Sequence, residues 1–146
     1  MKNANISNAQ QQIQVLNPIQ PDALFNPRSL GLSHAIEVRH FLRVLHISAQ
    51  GGHNTQGQLS IDFVKQAEQA FKNIHCILDE ADATLRDIAM LRIYLLDHSA
   101  KKHQQFIQVM QHVWKDQAFP ACSWVPVTCL SLPNMLIAIE ATAYCF

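Results

Sequence analysis

The sequence predicts a single α/β (α+β) domain in which two helices pack on one face of a mixed sheet. Two stretches repeat apolar residues every three or four positions, as amphipathic helices do. Five other stretches alternate or run apolar, as strands do. Their order along the chain is β-β-α-β-α-β-β. With both helices on one face, the other face needs cover, and oligomerisation would supply it.

The N-terminal region precedes this domain. We expect residues 1–12 to form a flexible polar tail and residues 13–146 to form the domain. The first 14 residues are rich in Asn and Gln and lack an apolar core, which argues against a signal peptide. Three prolines and Gly31 predict an irregular segment over residues 17–31, with a short extra strand near residues 14–16.

The first half of the domain carries two strands and a helix. Alternation predicts strands at residues 34–38 and 42–48, joined by a turn at 39–41. A glycine-containing loop follows. The helix is predicted from about Ser60 to Glu80, with Ser60 as its N-terminal cap.

The second half begins with a strand at residues 88–96 that is largely apolar on both sides, with Arg92 as the exception. A helix is predicted at about residues 99–114. Two final strands are predicted at residues 124–130 and 136–144, and Pro126 within the first of them indicates a sheet edge or a bulge.

Composition excludes several classes of function. The chain has 146 residues, of which 49% are hydrophobic and 15% charged, as in a globular domain. Its 11 basic and 11 acidic residues cancel, so no basic field supports nucleic-acid binding. No apolar run approaches the roughly 18 residues that a membrane helix needs. We expect a cytoplasmic protein with reduced cysteines and no membrane partner.

Five segments stand out in order along the chain: Leu32-Ser33-His34-Ala35-Ile36, Ser48-Ala49-Gln50, Gln66 with Asn73, Arg92-Ile93-Tyr94-Leu95-Leu96-Asp97 and Phe119-Pro120-Ala121-Cys122-Ser123-Trp124. They resemble motifs of the Rid (YjgF-like) family of enamine/imine deaminases, which has a chorismate-mutase-like fold. The resemblance covers roughly residues 12–144 and implies a homotrimer with clefts between subunits.

The resemblance implies the candidate site residues. Glu140 matches the family glutamate that positions the attacking water, and Ser33 and Gln50 match other cleft residues. Cys122 stands where the deaminases have the arginine that binds the substrate carboxylate. The run Pro-Ala-Cys-Ser-Trp, ending at Trp124, is similar to that of a branch lacking this arginine.

Each candidate has a structural alternative. Cys122 can act as a nucleophile only if a neighbouring base or cation lowers the pKa of its thiol. Otherwise it is a small polar residue of the cleft. Trp124 fits a ligand-stacking platform and an interface filler equally. Glu140 lies in an apolar strand, where a carboxylate is costly unless it is hydrogen-bonded or exposed in a cleft. Arg92 fits a replacement cation or an interface arginine.

No metal or cofactor is predicted. The chain has eight histidines, but their spacings, such as the five-residue step from His98 to His103, lack the local geometry of a helical metal pair.

The sequence therefore predicts a trimer that binds a small metabolite against Trp124, Ser33, Gln50 and Glu140. The expected reaction is hydrolysis of an imine, an enamine or a related C–N bond, with Glu140 orienting water. The alternative is a non-catalytic ligand-binding or regulatory homologue. An RNA-acting protein is a third interpretation, which the zero net charge disfavours.

Overall fold

The computed structural model describes residues 15–146, so the predicted tail at residues 1–12 lies outside the described residues. The strands are β1 (Val15–Ile19), β2 (Ala35–Arg39), β3 (Arg43–Gln50), β4 (Ile88–Leu96), β5 (Ala121–Val127) and β6 (Ile137–Cys145). The helices are α1 (Phe63–Glu80) and α2 (Ala100–Trp114), with short 3-10 helices at Pro27–Leu30 and Leu85–Asp87. The predicted order of elements is confirmed.

Four strands form a mixed sheet in the order β3-β6-β4-β5. β6 runs antiparallel to both β3 and β4, whereas β4 and β5 are parallel. The parallel pair requires a crossover connection, which α2 provides. β1 and β2 form a separate antiparallel pair, and a bridge between Ser33 and Ala121 ties its end to β5.

The two faces of the four-stranded sheet differ in burial because side chains alternate along each strand. One face packs under α1 and α2, and its central residues, such as Leu91 and Ile139, are fully buried. The other, which we call the open face, is half-buried or exposed at nearly every position. It carries Val44, His46, Met90, Arg92, Tyr94, Ser123, Val125, Glu140, Thr142 and Tyr144. The prediction of two helices on one face of a mixed sheet is thus confirmed.

The N-terminal cap of helix α1 lies two residues after the predicted one. Asp62 is the cap, and its carboxylate accepts a hydrogen bond from the Lys65 amide at 2.9 Å. The prediction that Ser60 caps the helix is wrong, because its hydroxyl instead accepts from the Asp62 amide at 3.1 Å. The Ser60 hydroxyl and the Asp62 carboxylate therefore accept backbone hydrogen bonds one after the other along the turn that leads into the helix.

Two polar residues of α1 hold the loops at one end of the sheet. Gln66 is fully buried, and its amide nitrogen donates to the carbonyls of Ser60 and Asn134 at 2.7 and 3.0 Å. Its amide oxygen accepts from the Leu136 backbone at 2.9 Å. Asn73 donates to the carbonyls of Gly51 and His53. Gln66 and Asn73, which match the family motif, therefore have a structural role: they hold these loops against α1.

Strand limits differ from the prediction at β1 and β5. β1 extends through Pro18, inside the segment predicted to be irregular; a proline is tolerated there because β1 has one hydrogen-bonded neighbour. β5 begins three residues early, at Ala121, and ends at Val127. It is a terminal strand of its sheet, which agrees with the edge position inferred from Pro126.

In the part of the chain that the structure describes, no helix is both long and apolar enough to cross a bilayer.

Candidate functional site

The open face of the sheet carries Glu140 in a defined orientation. Glu140 on β6 lies opposite Arg92 on β4, and Arg92 Nη1 donates to Glu140 Oε1 at 2.9 Å. Tyr94, two residues along β4, donates its hydroxyl to Glu140 Oε2 at 3.0 Å. Each carboxylate oxygen therefore has its own donor. We call Arg92, Tyr94 and Glu140 the sheet-face cluster.

The Arg92–Glu140 ion pair orients the carboxylate more than it stabilises the fold. The two side chains are 51% and 34% exposed, and exposed ion pairs contribute on the order of 1 kcal/mol or less. Burial of this face in an oligomer would remove water from the pair and strengthen it.

Tyr94 completes the cluster, and sequence reasoning missed it. Its hydrogen bond to Glu140 raises the pKa of the Tyr94 hydroxyl, and desolvation and the Glu140 charge act in the same direction, against the opposing charge of Arg92. The hydroxyl therefore remains a protonated donor at neutral pH. The available signal was alternation, because Tyr94 and Arg92 share one side of β4.

A concavity of about 350 Å³ lies beside Glu140. His46 and Ser48 of β3 and Thr142 of β6 supply its polar groups. The register between β3 and β6 shifts after Ile47, which marks a bulge next to this concavity. The arrangement can hold water or a small polar molecule against the carboxylate.

Ser33 and Gln50 use their polar groups within the fold. Ser33 is buried, and its hydroxyl donates to the Phe119 carbonyl at 2.6 Å. Gln50 donates its side-chain amide to the Ser48 carbonyl at 3.0 Å. Among residues 15–146, neither side chain hydrogen-bonds to Glu140. Their predicted binding roles stay predictions.

Cys122 and Trp124 lie on the helix-covered side of the sheet, opposite to Glu140. In the parallel register, Cys122 pairs with Leu91 and Trp124 with Ile93, two buried residues of the helix side. Within one subunit Trp124 and Glu140 therefore do not meet, and the predicted cleft between subunits that would hold both stays a prediction. Since the period of a strand is two, Ser123 is the residue of this motif that shares the open face with Arg92.

The environment of Cys122 argues against a nucleophile. Burial raises the pKa of its thiol to about 12. A thiol with this pKa is neutral at physiological pH, and the thiolate is the reactive form.

Trp124 packs in an aromatic group with residues from α2 and the loop before it. Its ring lies 4.9 Å from that of Phe106 and stacks on His103 at 5.0 Å. Its indole nitrogen donates to His98 Nδ1 at 3.0 Å, which fixes the tautomer of His98. Desolvation, and then the nearby His98, lower the pKa of His103. We call His98, His103, Phe106 and Trp124 the Trp124 cluster.

The described residues contain no group of three or more metal-ligating side chains that converge on one point. The two histidines at the Trp124 cluster are instead engaged with an aromatic ring. The four cysteines, all within residues 15–146, are unpaired.

Comparison with known proteins finds relatives that match most of this chain. A RutC family protein of Aquifex aeolicus is 36% identical over 113 residues, covering 76% of this chain and 86% of the relative. A crystal structure of YyfB from Yersinia pestis, described as a protein of unknown function of the conserved Rid family, is 32% identical and superimposes with a TM-score of 0.83. It covers 88% of this chain and 97% of that one.

More distant structures share the fold alone. Yeast Mmf1 is 23% identical, with a TM-score of 0.64, and the match covers 90% of this chain and 94% of that one.

The sequence profile described as Endoribonuclease L-PSP matches residues 27–145, most of the chain. With the order of its elements, its mixed sheet and these relatives, the chain belongs to the Rid (YjgF) family.

Proposed function

We propose that this protein is a homotrimer that binds a small metabolite in clefts between subunits and hydrolyses an imine, enamine or related C–N bond. The observation that carries the proposal is the carboxylate of Glu140, held by Arg92 and Tyr94 beside a polar concavity on an exposed sheet face. Membership of the Rid family supports the reaction class, which the resemblance in sequence implies.

In this reaction Glu140 would orient the attacking water. A carboxylate oxygen that accepts from one protein donor retains a lone pair for a water O–H. The water oxygen would attack the imine carbon and become the carbonyl oxygen of the product as the C–N bond breaks, and the nitrogen would leave as ammonia or an amine that takes up both protons of the water. Tyr94 and Arg92 would keep the carboxylate from rotating, which is the contribution of preorganised groups.

Trimer formation is supported by the surface of the open face. The face is half-buried or exposed and combines apolar area from Val44, Met90, Val125 and the rings of Tyr94 and Tyr144 with polar groups, whereas α1 and α2 cover the opposite face. A mixture of apolar, aromatic and polar side chains is typical of a protein interface. Three copies that bury this face would bring Glu140 into an enclosed environment.

The substrate should differ from that of the arginine-bearing deaminases. Cys122 carries neither charge nor a planar pair of donors, and it lies toward the helices. Arg92 is engaged by Glu140 and is not free to bind a substrate carboxylate in the same way. Hydrolysis of the imine derived from 2-aminoacrylate is therefore expected to be weak, since loss of a bidentate contact costs on the order of a few kcal/mol.

A non-catalytic ligand-binding or regulatory trimer is the second candidate. The engagement of both Glu140 oxygens and the neutral Cys122 thiol favour it. An action on RNA, which the profile description suggests for other proteins, is disfavoured by the balance of 11 basic and 11 acidic residues.

Hydrolysis of two substrates tests the proposal. Purified protein is given 2-aminoacrylate generated in situ and, separately, N-benzylidenemethylamine, an acyclic imine without a carboxylate. We expect faster hydrolysis of N-benzylidenemethylamine than in buffer, and at least a tenfold loss of that rate in Glu140→Gln, because the amide lacks one acceptor and the charge. Glu80→Gln, at an exposed position of α1, is the matched control.

Two results would contradict the proposal. If the wild type hydrolyses both substrates no faster than buffer does, the protein is the non-catalytic ligand-binding or regulatory trimer instead. An unchanged rate in Glu140→Gln, with hydrolysis intact, would remove Glu140 from the reaction.

A further inference from the structure

A second concavity, outside the sheet-face cluster, opens between the β1–β2 connection and Phe119. It encloses about 410 Å³, within the range of small-molecule sites. Apolar and proline side chains form most of its wall, with Leu24 and Phe25 at the rim 52% and 65% exposed. We call it the Arg28 pocket, after the one arginine among the described residues that line it.

The guanidinium of Arg28 is available for a ligand. It lies 5.8 Å from the centroid of the Phe119 ring, and none of the ion pairs within residues 15–146 includes it. Three other arginines are engaged: Arg39 with Glu37, Arg92 with Glu140, and Arg43 with the carbonyls of Ala81 and Asp82.

The backbone that carries Arg28 is held in place. The Arg28 amide donates to Asn26 Oδ1 at 3.0 Å, and Pro27 fixes the first turn of the 3-10 helix. Gly31 ends that helix at φ 71 and lies so close to α2 that an added Cβ would be 3.0 Å from Met110 Cβ. A pocket preformed in this way binds a ligand without the cost of ordering its own wall.

Other polar groups narrow the choice of ligand. Two polar groups of the wall are already bonded to His34, which lies outside the wall: the Phe25 carbonyl bonds to its ring at 2.7 Å, and Gln20 Oε1 accepts from its backbone amide at 3.1 Å. Asp22 is the one carboxylate among the described residues that line the pocket. Because the Asp22 carboxylate would repel a second negative charge, the pocket disfavours a dianion such as a phosphate ester. The Arg28 guanidinium suits a ligand with a single negative charge.

We propose that the Arg28 pocket binds a small monocarboxylate with an aromatic or branched apolar body. The guanidinium presents paired N–H donors that match a carboxylate, and its stacking on Phe119 limits its motion. The apolar body would lie against Phe25, Leu32 and Phe119. The inference goes beyond the proposed function, because it requires neither Glu140 nor hydrolysis.

A binding experiment with the full chain tests this site. The probes are 3-phenylpropanoate and its neutral analogue 3-phenylpropanamide, followed by isothermal titration calorimetry. We expect the carboxylate to bind at least tenfold more tightly than the amide, and Arg28→Gln to remove that preference. Arg28→Lys, which keeps the charge and loses the paired donors, should fall between the two.

Matched variants locate the site. Arg39→Gln, an exposed arginine on β2, should bind both probes as the wild type does. Lys115 lines the neighbouring concavity that also contains Arg28, and Lys115→Gln should leave binding unchanged. Glu140→Gln should also leave it unchanged, so failure of the hydrolysis proposal and failure of this one are separable.

Three results would overturn the proposal: equal affinity of the wild type for carboxylate and amide, unchanged carboxylate binding in a folded Arg28→Gln, or an equal loss in Lys115→Gln. Circular dichroism of each variant establishes that it is folded.

Discussion

At the scale of single residues, the thiol of Cys122 combines a position in a family motif with a protected environment. Burial raises its pKa to about 12, so at pH 8 roughly one molecule in ten thousand carries a thiolate there. Cys76 and Cys129 are exposed. We expect iodoacetamide at pH 8 to modify those two at least tenfold faster than Cys122, as followed by peptide mass spectrometry.

Denaturation supplies the control for this labelling experiment. In concentrated urea the rates should converge, because the burial is lost. Native labelling of Cys122 at the rate of Cys76 would restore the nucleophile hypothesis.

His103 provides a pH-dependent test of the Trp124 cluster. Its pKa is lowered in the folded state, so the folded protein binds fewer protons than the unfolded chain between that value and about 6.5. The free energy of unfolding that this group contributes is complete above about pH 6.5 and is lost as the pH falls through the folded pKa.

We expect an NMR titration of the His103 ring to have a midpoint below 6.5, and the midpoint to rise in part in His98→Gln. The rise should be partial because desolvation, the larger cause, remains. A midpoint at or above 6.5 in the wild type would show that the ring is solvated and charged more easily than this packing allows.

At the scale of elements, Gln66 links helix α1 to two loops through three hydrogen bonds. Gln66→Leu would leave two carbonyls and one amide without a partner in a buried place, at a cost of about 2–4 kcal/mol. Gln108→Leu, at an exposed position of α2, should change stability by about 0.5 kcal/mol or less.

Urea denaturation with a fitted midpoint measures both variants. A Gln66→Leu protein as stable as the wild type would mean that the loops rearrange and recover their partners.

Much of this element structure was predictable from the sequence, since periodicity decides which face of a helix or strand is buried. Strict alternation along β4 would place Ile88 on the same side as Arg92, yet Ile88 is buried and Arg92 is exposed. A register shift after Ile88 explains the difference, and such shifts depend on the neighbouring strand.

The candidate site was less predictable. Within one subunit, strand register places Cys122 and Trp124 on the opposite face of the sheet from Glu140, and that register depends on the neighbouring strands. Tyr94 was recoverable from alternation with Arg92. The Arg28 pocket was not, because it depends on contacts between the 3-10 helix, α2 and Phe119, which are distant in sequence.

At the scale of the whole molecule, the proposed trimer predicts a mass by light scattering three times the 16.5 kDa of one chain. Val125→Glu would place a charge at a half-buried apolar position of the open face and should lower that mass at micromolar concentration. Ile61→Glu, at a position 99% exposed, should not change it.

A mass of 16.5 kDa for the wild type at micromolar concentration would contradict both the trimer and the clefts between subunits.

The alternation along β5 assigns neighbouring residues to different kinds of constraint. Cys122 and Trp124 face the helices, so a substitution there acts on the unfolding of one chain. Ser123 and Val125 face away, so a substitution there acts on association, if the open face is the interface. Adjacent positions of one short motif are therefore free to evolve separately: one set adjusts the interior of a subunit, and the other adjusts its choice of neighbours.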